Sequence, residues 1–365
     1  MTDHHHQGAR PAGVERFSMG VLAAVLVVLG GYVLVTRWPG PSPHPITIRS
    51  VDVRHAGASL VDPPTVPLER GVTAYAGYGA WVDVFDYSPP YAGGAPPVTP
   101  DDIDEMAADG VRTVYLQAAR LDDRSSDGIQ DPWLLAEIVH RAHLHDMAVV
   151  AWYLPKWDAG SADVERVRAL DDFEVLGHRF DGVALDIEWI PDDLELEERN
   201  ARLVRLSRVT DAEVAGPIGA IVLPPVLTEV VNPDLWPDFP WSELAPLYEV
   251  WMPMSYWSFR SDESGYGDGY AYNEESTRRL RADLGDPEAL VHAIGGIGGL
   301  ATGEESGDGS EPRASADEID AFARSLADTG AIGGSVYDWN TLDPEVRERL
   351  AALFSTGSAA DLAAP

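Results

Sequence analysis

The residues best placed to do chemistry are Asp186 and Glu188. They end the run Phe180-Asp181-Gly182-Val183-Ala184-Leu185-Asp186-Ile187-Glu188-Trp189. Side chains alternate faces along a β-strand, so Ala184, Asp186 and Glu188 share one face and Val183, Leu185 and Ile187 the other. An apolar strand that delivers two carboxylates together pays several kcal/mol for their burial unless they are paired or used. The plain alternative is a strand end capped by solvated acids. The chemical reading is a general acid, Glu188, with a neighbouring Asp that tunes it.

Such a pair needs a scaffold that holds strand ends together, and the rest of the chain reads as one. Short apolar runs at 81–85, 113–117, 148–153, 183–186, 218–223, 250–255, 291–295 and 334–338 predict strands. Between and after them lie helical patterns at 99–108, 132–145, after Ser161, at 194–209, 240–247, 274–284, after Ser315 and at 344–354. Thr99, Ser161 and Ser315 stand where helix caps belong. Strands alternating with helices, each strand nearly continuously apolar, predict an α/β fold of the (β/α)8 TIM-barrel type over residues 71–354. A doubly wound open sheet is the competing topology. It would want a glycine-rich turn after the first strand, where this chain has Asp86-Tyr87-Ser88-Pro89-Pro90.

In a barrel, function sits at the C-terminal ends of the strands. Collecting those positions gives Trp81, Asp83 and Asp86; Gln117 and Arg120; Trp152, Tyr153 and Lys156; Asp186 and Glu188; Met254, Tyr256 and Trp257; and Tyr337, Asp338 and Trp339. A rim rich in aromatics with few acids suits a sugar, whose ring faces stack on Trp and Tyr while its hydroxyls bond to polar side chains. Packing is the ordinary role of any single Trp, but several at strand ends together point to a glycan.

Three stretches then carry a resemblance. Asp181-Gly182-x-Ala184-x-Asp186-x-Glu188 resembles the strand-four signature DGxDxDxE of glycoside hydrolase family 18, the chitinase family. Met254-Ser255-Tyr256 resembles that family's Met-x-Tyr element, and Gly333-Gly334-Ser335-Val336-Tyr337-Asp338-Trp339 its eighth strand, which ends near a Trp under the sugar. The resemblance implies that Glu188 is the general acid, that Asp186 orients the substrate's acetamido group, that Tyr256 bonds to its carbonyl and that Trp339 floors the subsite. Asp181 joins the substrate contacts as the head of the signature. Two positions depart from the pattern: Ala184 replaces the middle Asp, and Trp257 stands where the family carries an Asp after Met-x-Tyr. A degenerate barrel that binds glycan without cleaving it is therefore an alternative, as is a muramidase-like hydrolase, since lysozyme-type barrels also end strand four in Asp-x-Glu.

The seventh strand narrows the mechanism independently. Most retaining glycosidases flank the bond with two carboxylates. Here that strand ends Ile294-Gly295-Gly296-Ile297-Gly298-Gly299, with no acid. One route left is for the substrate's own N-acetyl oxygen to act as nucleophile, which needs one acid and one orienting Asp. Asp86 or Asp338 is the other candidate partner.

Composition excludes much else. With 365 residues, 45% of them hydrophobic, the chain can bury one large core. It has no cysteine, hence no disulfide, thiolate metal site or cysteine nucleophile. A net charge of -34 repels nucleic acid, and of 26 basic side chains only Lys156 is a lysine. There is no phosphate loop and no G-x-S-x-G elbow, and His140, His143 and His145 fall on a helix, where a surface face is expected. No cofactor and no metal are expected. Residues 19–36 form an unbroken uncharged apolar segment closed by Arg37 and followed by Trp38-Pro39-Gly40-Pro41. This predicts a single membrane span. The organisation expected is a cytoplasmic tail at 1–18, the anchor at 19–36, a Pro-rich linker at 37–70, the barrel outside the cytoplasm and a frayed tail at 355–365. The partners expected are a polysaccharide and, through the anchor, the lipid bilayer.

Overall fold

The computed structural model of the chain describes residues 71–125, 128–260, 264–296 and 314–355. The segment read as a membrane span, with its tail and linker, lies outside the described residues, as does most of the C-terminal tail. No helix among the described residues is long and apolar enough to cross a membrane.

Eight parallel strands close into a barrel: β1 (Gly77–Val82), β2 (Thr113–Ala119), β3 (Ala148–Tyr153), β4 (Gly182–Ile187), β5 (Ile218–Val222), β6 (Val250–Ser255), β7 (Leu290–Gly295) and β8 (Gly333–Val336), with β8 pairing back onto β1. The helices alternate with them as α1 (Val84–Tyr87), α2 (Asp102–Ala108), α3 (Pro132–Leu144), α4 (Ala162–Asp171), α5 (Leu196–Glu213), α6 (Trp241–Leu244), α7 (Gly269–Leu284), α8 (Ala316–Thr329) and α9 (Pro344–Ser355). After β5 the crossover begins with a π-helical turn at Val226–Val231 before the short α6. Nearly every strand residue is buried, as parallel strands covered on both faces must be.

Most strands differ from expectation by a residue or two at one bound or both, and the first and eighth stop furthest short of their expected ends. The first was expected to run to Phe85, yet β1 stops at Val82. Asp83 accepts hydrogen bonds from the N–H groups of Phe85 (2.6 Å) and Asp86 (3.2 Å), and Asp86 accepts one from the N–H of Asp83 (3.0 Å). This reciprocal cap folds the next four residues into α1. The eighth strand was expected to reach Asp338 and ends at Val336.

Register sets the interior layers. Gln117, Trp152, Ala184 and Gly219 lie side by side across β2 to β5, and Asp186 stands one layer higher beside Ile221. The lower end is filled by Tyr75, from the 3-10 turn Val72–Tyr75, whose hydroxyl donates to the carbonyls of Val183 (2.8 Å) and Pro217 (3.0 Å). Glycine is required where the ring passes: a Cβ on Gly182 would meet Tyr75 Oη at 2.7 Å, and one on Gly219 would meet the ring at 2.9 Å.

Candidate active site

Alternation along β4 carries Gly182, Ala184, Asp186 and Glu188 to the inner face, with Gly182 against Tyr75 at the bottom and the two carboxylates at the C-terminal mouth. Both carboxylates are only 5% exposed. Burial raises the proton affinity of both: Asp186 is pushed up to about 8, and Glu188 well above its ordinary range, with the charge of Asp186 adding to the effect. Lys156 pulls the other way on both, and Arg120 on Asp186, without overcoming burial. One oxygen of Asp186, Oδ1, is buried without a hydrogen-bond partner among the described residues. A carboxyl that keeps its proton near neutral pH can donate it, and an unbonded carboxylate oxygen beside it can accept from a substrate N–H.

Aromatic rings surround the pair. Trp81 stacks on Tyr115 with ring centroids 4.5 Å apart, meets Trp152 edge-on at 5.9 Å, and lies 6.3 Å from Tyr337. Its indole N–H donates to Ser335 Oγ at 2.7 Å. Tyr337 in turn lies 6.2 Å from Tyr256. Tyr256 and Tyr337 are half-buried, and both hydroxyls hold their protons, by burial first and by the surrounding carboxylates second. Met254 shares the inner face of β6 with Tyr256, pairing with Ile294 of β7.

The strand-end candidates divide by face. Trp81, Asp83, Gln117, Trp152, Asp186, Glu188, Met254, Tyr256 and Tyr337 fall on the inner side. Tyr153 points outward, its hydroxyl donating to Asp163 of α4. Trp257 packs against Phe322 of α8 at 5.1 Å and is fully buried. Trp339 is 1% exposed with the Arg347 guanidinium of α9 over its ring at 4.1 Å, so the ring under the mouth is Tyr337 instead. Asp181 stands at the other end of β4, accepting from the Val149 N–H (2.7 Å) and paired with His143 Nε2 (3.0 Å). His143 and His140 both reach the buried His178, at 3.3 and 2.8 Å, so two of the three histidines form a half-buried cluster and His145 stays exposed.

A second group of acids flanks the mouth. Asp83, Asp86 and Asp338 each bring one oxygen within 4.8 Å of the others. All three carboxyls are raised, first by burial, then Asp86 and Asp338 by their neighbours' charge; Asp338 reaches about 7. A cation could be held here, but it would compete with bonds already made: Tyr337 Oη donates to Asp83 (2.7 Å), Asn340 to Asp86 (3.3 Å) and the Thr341 N–H to Asp338 (3.0 Å). A shared proton satisfies the cluster without one. Lys156 and Arg120, two cations within reach of Asp186, were visible as strand-end residues, and the singularity of Lys156 was the available signal of a role.

No family model matches the chain, and no curated protein matches it. Solved structures do. The spore cortex-lytic enzyme SleL of Bacillus cereus is similar at a TM-score of 0.53 and 10% identity, over 77% of this chain and 74% of that one. A chitinase from Chromobacterium violaceum is similar at 0.51 and 13%, over 77% and 99%. The fold is shared. An endo-beta-1,4-mannanase from Thermotoga petrophila, at 0.53 and 10% over 77% of each chain, shares it equally well, so the barrel alone does not select a substrate.

Proposed function

We propose that the chain is a glycoside hydrolase acting on an N-acetylated polysaccharide, chitin-like or peptidoglycan, by substrate-assisted retention. The observation that carries the reading is the buried pair on the inner face of β4, with Glu188 holding its proton and Asp186 Oδ1 unbonded beside it. Glu188 gives its proton to the glycosidic oxygen as the C1–O bond breaks. Asp186 accepts from the acetamido N–H and turns the acetamido oxygen onto C1, which forms a cyclic intermediate. Tyr256 donates to that oxygen. Water, deprotonated by the Glu188 carboxylate, then opens the ring and restores the configuration at C1. Of the similar structures, a chitinase and a cortex-lytic enzyme agree with this substrate class and the mannanase does not.

The test is release of reducing ends from chito-oligosaccharides and from purified peptidoglycan, each with and without its N-acetyl groups. Turnover confined to the N-acetylated forms is expected; equal turnover of the deacetylated forms would overturn the mechanism, since nothing in them replaces the nucleophile. A second reading, glycan binding without cleavage, is favoured by Ala184, which leaves no third carboxylate under Asp186. It predicts calorimetric binding with no product in either assay. We also place the barrel outside the cytoplasm on an anchor at residues 19–36. Protease added to intact cells should remove it, and a protected barrel would refute that topology.

A further inference from the structure

The mouth holds more positive charge than its acid pair engages. Arg120 is 8% exposed, and its Nη1 is buried with no hydrogen-bond partner among the described residues. Among the described residues its ion pair is with Asp122, 3.4 Å from Nε, which Arg124 (3.1 Å) and Tyr91 (2.7 Å) also bind, and its guanidinium carbon lies 5.2 and 5.7 Å from the ring centroids of Phe85 and Tyr91. The charge of Arg120 reaches both acid groups, lowering the proton affinity of Asp83 and of Asp186. Lys156 is the only lysine of the chain. Its Nζ sits 3.2 Å from the ring centroid of Trp189, one residue beyond Glu188, and no ion pair engages it among the described residues. The two cations are close enough for Arg120, after burial, to favour the neutral amine of Lys156, which titrates at about 8.

A neutral polymer gives no reason for two under-partnered cations beside a general acid. Lys156 works against Glu188, and both cations against Asp186, by favouring the ionised carboxylate. A buried guanidinium with an unbonded donor, and an ammonium on a π-face within reach of its charge, together suit a carboxylate.

We propose that Arg120 and Lys156 bind a carboxylate carried by the sugar beside the scissile bond, so that the preferred substrate is an acidic N-acetylated glycan, one bearing a free carboxyl on the sugar itself. This rests on the hydrolase reading above and sharpens its substrate. The bound carboxylate neutralises both cations, and Glu188 then keeps its proton more firmly when the correct substrate is present.

The experiment compares three oligosaccharides of equal length: one of N-acetylglucosamine alone, one alternating it with N-acetylmuramic acid, and the same alternating chain with its carboxyls amidated. kcat/KM is measured for the full chain and its Lys156→Met, Lys156→Arg and Arg120→Gln variants, with folding checked by melting. Binding is measured by calorimetry on Glu188→Gln. The free acid should be preferred over its amide by about tenfold or more, the worth of one or two charge-assisted hydrogen bonds. Lys156→Met should collapse that ratio towards one, and Lys156→Arg should keep most of it. Selectivity near one in the parent chain, or a ratio unchanged in both Lys156→Met and Arg120→Gln, would overturn the proposal. Should no oligosaccharide turn over, the binding ratio decides it: acid-selective binding sinks the hydrolase reading alone, and binding that ignores the carboxylate sinks this inference.

Discussion

The two ends of β4 carry the same residue type under opposite conditions. Asp181, at the lower end, has a backbone N–H at 2.7 Å and an imidazole nitrogen at 3.0 Å. Asp186, at the mouth, is equally buried, yet its Oδ1 has no hydrogen-bond partner among the described residues and its proton is held up to about 8. The contrast extends beyond the pair. Around the lower end, the Tyr75 hydroxyl proton is shared between two backbone carbonyls, Thr113 Oγ1 donates to the Ala74 carbonyl (2.8 Å), and His292 is bonded to the Tyr75 carbonyl (2.8 Å) and Ser335 (2.9 Å). Around the mouth, Gln117 Nε2, Arg120 Nη1 and Asp186 Oδ1 are buried and unbonded among the described residues. Saturated polar groups hold a fold; unsaturated ones carry a desolvation cost that a ligand can relieve. The groups just named at the lower end are bonded, although Tyr78 Oη there is not, and the three at the mouth leave bonds that a ligand could make.

The sharpest break of that comparison is in rate. Glu188→Gln should lower turnover about 10²–10⁴-fold, the ordinary value of general acid help, while the melting temperature holds. Asp186→Asn should cost activity comparably and leave stability unchanged or raised, because it removes a buried ionisable group without removing a bond. Unchanged hydrolysis in both variants would move the chemistry elsewhere, with Asp338 next.

Asp181→Ala should do the reverse. Losing its bonds to the Val149 N–H and to His143 should destabilise the barrel by about 2–3 kcal/mol, read by urea unfolding, with kcat/KM per folded molecule intact. A drop in specific activity would make the lower end part of the site.

Acidity offers a third measure. Asp338, Asp186 and Glu188 bind protons more tightly folded than unfolded, so the folded chain holds more protons over that window and stability falls as pH rises through it. For Asp338 the window runs from its unfolded value near 4 up to about 7. The melting temperature should therefore decline between those pH values, and Asp338→Asn should flatten the decline. A melting temperature that rises across the window would contradict the burial argument.

The smallest effect is expected of Ala184→Asp. The new carboxylate would stand one layer below Asp186, and like charges so close retain a proton between them. A few-fold gain on N-acetylated oligomers is expected, with a stability loss of about 1–3 kcal/mol. A flat or lower rate would mean that the site has settled on a different proton arrangement.

Much of this was legible in the sequence for one physical reason. A strand buried on both faces must be apolar along its whole length, and β3 and β6 were read at the bounds they have. The facing of Asp186 and Glu188 followed from alternation alone. The same rule, applied to neighbours, would have sent Tyr153 outward once Trp152 was placed inward, and Trp257 outward once Tyr256 was placed inward. Trp339 escaped it because β8 ends at Val336, after which alternation no longer governs direction. Asp86 was ambiguous because a reciprocal cap with Asp83 ended the first strand early, a competition between local side-chain bonding and extension that spacing does not reveal. The shift in proton affinity at the mouth depends on burial, and burial at a rim is a property of the assembled barrel.

Tyr75 has a consequence for how the barrel is made. It is among the first barrel residues to leave the ribosome, yet its hydroxyl waits for carbonyls 108 and 142 residues further on. Until β4 and the turn before β5 exist, the hydroxyl lacks both of these acceptors and the ring lacks the two glycines, Gly182 and Gly219, that it packs against. The stopper is made first and inserted late. Separations that long slow folding, and they set a boundary for any shortened form of the protein. A chain begun at the first strand, Gly77, would keep all eight strands and lose the residue that closes them underneath.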